Sequence, residues 1–361
     1  MSDGKKVYRS VKNALHKLWP VEPRGNFARH VNSLAALISG IVNGRSSQLP
    51  KIAENVPDGN KVESRVRRFS RWVDNTRIDY ERYYLPFAEV LLKCLAASPL
   101  VFAIDGSTVG RGCICLMVSV IYQGRALPIA WLVVRGKKGH LPQDKHIQLV
   151  GELKRIVPKE ASVYFLGDGE FDGTGLLEKI TDYDWHYVCR TAKTASVFVK
   201  GKKTNCGKLG NGIHSGQSNI YKDILFTNEQ YGPVNLIVWW GKEYKEPIYL
   251  VSDLKSKTEA CQFYKKRFRI ETLFSDQKSR GFHIQKSHLS NPDKLARLLI
   301  AACLAYIWIV YLGNLCINTG AHKLIHRTNR CDLSLFQLGL RYLKYILNEG
   351  IRIPVRFCLS P

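Results

Sequence analysis

The sequence has ten cysteines but no repeated Cys-x-x-Cys pairs, so no zinc site can be read from ligand spacing. Cys113 and Cys115 instead alternate within an apolar run, as buried strand residues do. No apolar segment stands behind the charges of the opening MSDGKKVYRS, which argues against a secretory signal and for a reducing cytoplasm. There is no internal repeat and no low-complexity linker. Acids are scarce. Against 54 Lys and Arg stand 30 Asp and Glu, a net charge of +24.

That imbalance calls for a polyanionic partner, because basic side chains placed at phosphates release condensed counterions. Nucleic acid fits this better than an anionic membrane surface. The apolar fraction of 45% is that of a globular chain, and 361 residues suffice for two or three structural units. The excess charge is uneven: +8 over 1–98, +5 over 99–256 and +11 over 257–361. The two ends are therefore expected to be the main DNA-facing parts.

From Leu298 to Ala321 no charge occurs, a run long enough to cross a membrane. Asn314, Asn318, Thr319 and Gly320 dilute its second half, and Arg297 abuts its start. A helix buried in the core is the expectation, with no membrane partner.

Residues 1–98 read as a helical DNA-binding region, with Leu34, Leu37, Ile38 and Ile41 at helix spacing and breaks near Gly44 and at Pro50. In VESRVRRFSRWVDN, Arg65, Arg68 and Trp72 share one side, and the two arginines are candidate DNA contacts. A solvated basic helix packing through Val66, Phe69 and Val73 explains the same pattern. At Pro99 the texture changes. Strand candidates, a hairpin at Gln123-Gly124-Arg125, and then helix, strand, helix and strand follow over 99–192. That order is the order of a ribonuclease H-like α/β core with a partly parallel sheet. Short strands separated by Gly-, Asn- and Lys-rich turns fill 193–255 as an all-β insertion. A helix over Ser256–Arg280 opens the second part of the core, 256–320, and 321–361 is a basic helical tail.

Two acids stand where apolar strands carry them. Asp105 lies in VFAIDGS and Asp168 ends VYFLGDG, where Gly167 and Gly169 allow close approach. A carboxylate in an apolar strand needs a compensating charge, which a metal would supply. Taken alone, a strand-end Asp is more often a helix cap or turn former, which is the better reading of Asp172. A third acid has company. On one helix through FYKKRFRIETLFSDQKSRGF, Tyr264, Arg267, Glu271 and Lys278 fall within about 60° of one another, beside an apolar stripe of Phe263, Ile270 and Phe274. The carboxylate could reach a metal while the phenol and the cations grip phosphates. An ordinary i,i+4 pair of Arg267 and Glu271 on a solvated face remains open.

The spacing Tyr264-(2)-Arg267-(3)-Glu271-(6)-Lys278, with Asp168-Gly169-Glu170-Phe171 and an Asp in AIDGS, resembles a group of bacterial insertion-sequence transposases. These are cut-and-paste DDE enzymes with a β-rich insertion before the catalytic Glu, and the resemblance covers about residues 25–345. It implies that Asp105, Asp168 and Glu271 are catalytic and bind two Mg²⁺ ions, with Mn²⁺ able to substitute. It implies a nick in double-stranded DNA at terminal inverted repeats, with a hairpin step in relatives, then strand transfer into target DNA. Tyr264, Arg267 and Lys278 would hold phosphates, with Arg190 a further contact. Trp239, Trp240 and Tyr249 are available to stack a flipped base or to fill a strand core. A homodimer in a synaptic complex and a nucleoid-associated place in a bacterial cytoplasm complete the implication. The short tail after 345 leaves little room for a separate dimerisation domain. The acids would equally serve a ribonuclease H-like nuclease, and the fold a domesticated or inactive DNA-binding relative.

Overall fold

The computed structural model describes residues 2–19, 21–136, 141–328 and 330–357. Six helices come first: α1 (Asp3–His16), α2 (Gly25–Gly44), α3 (Leu49–Glu54), α4 (Val62–Asp74), α5 (Tyr80–Tyr83) and α6 (Leu85–Leu95). The break after Gly44 stands, but Pro50 does not end a helix. It sits in the first turn of α3, where its missing N–H costs nothing.

Next come β1 (Leu100–Val109), β2 (Cys113–Tyr122), β3 (Arg125–Arg135), α7 (Gln143–Ile156), β4 (Val163–Gly167), α8 (Thr174–Asp182) and β5 (His186–Thr191). The turn between β2 and β3 is two residues, Gln123 and Gly124, both at positive φ (43° and 72°). That geometry matches the twist of the flanking strands. Residues 193–255 hold β6 (Ser196–Val199), β7 (Lys202–Asn205), a single helical turn α9 (Cys206–Leu209), β8 (Ser218–Phe226), β9 (Tyr231–Trp239) and β10 (Ile248–Ser252). The insertion is therefore not purely β. Nor is it detached: β10 pairs antiparallel with β5, so all ten strands form one sheet ordered β3-β2-β1-β4-β5-β10-β9-β8-β6-β7. Within it β1, β4 and β5 run parallel, and the other pairings are antiparallel.

A bulge in the β2–β3 pair docks the N-terminal helices. The register jumps between Val118 and Ser119, next to Pro128, which has no N–H to give a ladder. Tyr84 and Tyr80 donate their hydroxyls to the carbonyls of Pro128 and Ile129, 2.5 Å each.

The sequence closes with α10 (Lys257–Arg267), α11 (Arg269–Gln277), α12 (Pro292–Asn318), α13 (His322–Ile325) and α14 (Leu335–Asn348). The uncharged run is α12, buried around its whole circumference from Leu298 to Val310 and packed against α2, α14 and β3. Arg297 at its head donates to the carbonyls of Ile78 and Val73, each at 2.9 Å, tying the helical region to the sheet.

The single helix expected over Ser256–Arg280 is two. Phe268 interrupts it, and α11 stops at Gln277. The cause is docking: α10 packs on β1, β4 and β5, with Phe263 stacked on Tyr164 at 3.9 Å, whereas α11 packs on β3 and β1. A hydrophobic period cannot register that change of partner.

Arg65 is turned inward. Its guanidinium donates to the carbonyls of Ala53 (2.6 Å), Val56 (2.8 Å) and Asn60 (2.7 Å) and pairs with Asp58. It staples the loop between α3 and α4 and is not open to a phosphate. Arg68 also pairs with Asp58, at 2.9 Å, and Trp72 is buried. The exposed cations of α4 are Arg67 and Arg71. Arg65→Ala should lower stability by about 1–3 kcal/mol in denaturant titrations and leave DNA affinity nearly unchanged, whereas Arg71→Ala should do the reverse.

Candidate active site

Two acids are brought together by strand register. Ala103 of β1 sits opposite Leu166 of the parallel neighbour β4. Counting two residues on from each, past the last paired position, gives Asp105, midway along β1, and Asp168, just beyond the end of β4. The carboxyl end of a parallel strand, here that of β4, is where sites collect in open α/β sheets. The Asp105 carboxylate accepts from the Gly106 N–H (2.7 Å), and Asp168 accepts from the Glu170 N–H (3.1 Å). Phe171 anchors the loop after Asp168: it is fully buried, and a Cβ on Gly167 would lie 2.5 Å from its own. That close approach is why Gly stands there; Gly169 has no such crowding.

Glu271 comes from the first turn of α11 and meets the strand acids through one side chain. The Arg267 guanidinium bonds to the Glu271 carboxylate and lies 3.7 Å from Asp105 and 3.9 Å from Asp168. All three acids thus converge on one cation, whose side chain is only 13% exposed. Burial, reinforced by Asp168, pushes the Asp105 carboxyl up to about 7 even though Arg267 opposes the shift. The site holds more negative charge than one guanidinium relieves.

Because Asp105 is raised above its ordinary 3.8, the folded chain holds that proton more tightly than the unfolded chain. Its contribution to stability is complete below about pH 4 and lost as pH rises through 7. In the absence of metal, the melting temperature should therefore fall less steeply over that interval in Asp105→Asn than in the native protein. Asp276, pushed up to about 6 by burial, slopes the same way and persists in the variant.

Lys278 lies just beyond α11 and donates to the hydroxyls of Ser107 (2.5 Å) and Thr108 (3.5 Å) on the far end of β1. Together with Asp105, Asp168 and Glu271 it lines a cleft of about 680 Å³. Glu170 lines it too, accepting from the Leu141 N–H (2.7 Å) with His146 at 3.4 Å. The place of Glu170 two residues beyond Asp168 is the one signal the sequence carries for it. Ser107, Thr108, Ser275 and Ser279 also line the cleft, and nothing in their spacing marks them.

Other expected contacts fall differently. Tyr264 is buried, its hydroxyl pushed up to about 12, so it packs beneath the site instead of facing a phosphate. Arg190 is exposed on β5, close enough to act electrostatically on Tyr264. Trp239 and Tyr249 are buried strand residues, Trp239 edge-on to Tyr244. Trp240 is half-buried and donates to the Tyr244 carbonyl. Of the three aromatics, it alone presents a ring partly to solvent.

A family model for the transposase DDE domain matches residues 72–308, the greater part of the chain. The chain belongs to this family. It is a DDE transposase, and its activity is DNA transposition. Among solved structures it is similar to the piggyBac transposase in a cryo-EM synaptic complex with hairpin DNA, at 14% identity and a TM-score of 0.47. That similarity spans 97% of this chain and 79% of the other. No curated protein matches the sequence.

DDE transposases work with divalent metal ions. The donor set of this transposase fits them in chemistry, being hard carboxylate oxygens in a partly buried, over-acidic pocket. It does not yet fit in arrangement. Among the described residues no three acidic, His or Cys side chains stand gathered as a metal cage. The Arg267 guanidinium lies between the acids instead.

Proposed function

We propose that this transposase nicks double-stranded DNA at terminal inverted repeats and joins the freed ends to target DNA, with Asp105, Asp168 and Glu271 as catalytic metal ligands. The observation that carries the reading is the convergence of these acids, from β1, the end of β4 and α11, on one buried cation. The strand order β3-β2-β1-β4-β5, with β1, β4 and β5 parallel, supports a ribonuclease H-like core over 99–192 and 256–320.

Bound by the three carboxylates, two Mg²⁺ ions, or Mn²⁺ in their place, would supply Lewis-acid activation of the attacking oxygen and charge relief at the leaving one. The protein's own part is positioning. Strand register sets Asp105 and Asp168 level, and α11 delivers Glu271 across the cleft from them. Lys278, braced on Ser107 and Thr108, presents its ammonium at the cleft wall, where a scissile phosphate's oxygens would lie. Arg190 extends the positive surface along β5, and Trp240 is the aromatic best placed to receive an unstacked base. The helices of 1–98, through Arg67 and Arg71, and the basic tail of 321–361 would hold DNA beyond the cleft. Two copies working in one synaptic complex, within a bacterial cytoplasm and its nucleoid, complete the reading.

A duplex carrying the DNA that flanks the gene, incubated with Mg²⁺, should acquire a nick ending in a 3′-hydroxyl. The same mixture in EDTA should remain uncut. Nicking that proceeds equally well without divalent ions would refute the assignment.

A further inference from the structure

We propose that Arg267 is a displaceable counter-cation: its guanidinium holds the three-acid site against divalent ions until a DNA phosphodiester draws it away, so that DNA binding favours metal loading. The inference rests on the metal-ligand reading above and concerns the order in which that site is filled.

Arg267 bonds to Glu271 and lies within ion-pair distance of Asp105 and Asp168, so its charge sits where a bound ion would have to sit. A divalent ion brought to the same carboxylates meets a like charge a few ångströms away, and the two compete for the same oxygens. The guanidinium is also poorly satisfied there. Its Nη1 is buried without a hydrogen bond, too far from either aspartate to donate. A phosphodiester offers two non-bridging oxygens that match the guanidinium fork, a better ligand than three splayed carboxylates.

The backbone places this side chain at a joint. Arg267 is the last residue of α10, Phe268 interrupts the helix and is 58% exposed, and Glu271 belongs to α11. The two cations of the cleft also differ in kind. Lys278 is braced on the hydroxyls of Ser107 and Thr108, which are not metal ligands, whereas Arg267 leans on the acids themselves. Drawing Arg267 toward a phosphate would uncover the carboxylates while Lys278 stayed in place. Linkage makes the effect reciprocal: metal must tighten DNA binding by the factor by which DNA tightens metal binding.

The test uses the full chain and Mn²⁺ followed by the electron paramagnetic resonance of the free ion. Without DNA, Arg267→Ala should bind Mn²⁺ about tenfold more tightly than the native protein. Arg267→Gln should follow the Ala variant, and Arg267→Lys, which keeps the charge, should stay near native. Binding by both uncharged variants no tighter than native would overturn the proposal. Adding Asp105→Asn to Arg267→Ala should remove the gained affinity. If the gain survives that change, the acids are not the metal site, a failure of the underlying reading and distinct from failure of the gating role. A second arm needs no substitution. The anisotropy of a labelled mixed-sequence duplex should report tighter binding by the native protein in Ca²⁺ than in EDTA, and Arg267→Ala should lose most of that difference. Native binding indifferent to Ca²⁺ would equally overturn the proposal.

Discussion

Asp105→Asn should reduce metal-dependent nicking by about a thousandfold, some 4 kcal/mol of barrier, while DNA affinity in Ca²⁺ falls far less. Asparagine keeps the size of the side chain and one of its oxygens, so β1 and its hydrogen bond from Gly106 should survive. What is lost, on the proposed assignment, is a charge where three carboxylates would neutralise incoming cations. Asp168→Asn and Glu271→Gln should behave alike, and any two together should be little worse than one, as expected of groups proposed to act as a unit. Measured rates on a pre-formed protein–DNA complex separate this from a binding defect. A variant that cleaves within a few-fold of the native rate would show that Asp105 is no metal ligand.

Gly339→Val should destabilise the fold by about 3 kcal/mol or more, a large effect from a residue far from the acids in sequence. Here α12 and α14 touch backbone to backbone. A Cβ at Gly339 would lie 1.9 Å from the carbonyl oxygen of Ile309, and one at Gly313 would lie 1.9 Å from that of Leu335. Carbonyls within helices cannot swing aside as a flexible side chain could, so α14 must separate from the core helix. Gly59→Ala, where a new Cβ meets nothing within 4 Å, is the control and should melt near the native temperature. Gly339→Val melting with the control would contradict the packing described.

Much of this architecture was legible in the amino-acid sequence, and the reasons are local. The strands bearing Asp105 and Asp168 are apolar runs with an acid at a boundary, and the Gln123–Gly124 turn carries its own conformational signature. The uncharged run read as a core helix because hydrophobicity around the whole circumference demands burial, which α12 has. Illegible features depend on what an element packs against. Strand β7 is Lys-Lys-Thr-Asn, with no apolar period, and exists because β6 pairs with it. The break at Phe268 follows from two docking surfaces that periodicity cannot see.

The candidate site was legible in its acids and less so in its cations. Helix spacing put Tyr264, Arg267 and Lys278 on one ridge, yet one is buried, one lies among the acids and one is braced on hydroxyls beyond the helix end. Spacing gives a direction around a helix but not what waits there. Arg65 makes the same point: a basic side chain on a basic helix is bent back by carbonyls at the end of α3 and in the loop after it.

The most direct test is the anomalous diffraction of Mn²⁺ in crystals of this transposase bound to DNA. Metal peaks about 2.1 Å from carboxylate oxygens of Asp105, Asp168 and Glu271, with Arg267 moved onto a phosphate, are the outcome expected. Peaks elsewhere, or Glu271 turned away from the other two acids in the DNA-bound protein, would contradict the assignment of the active site.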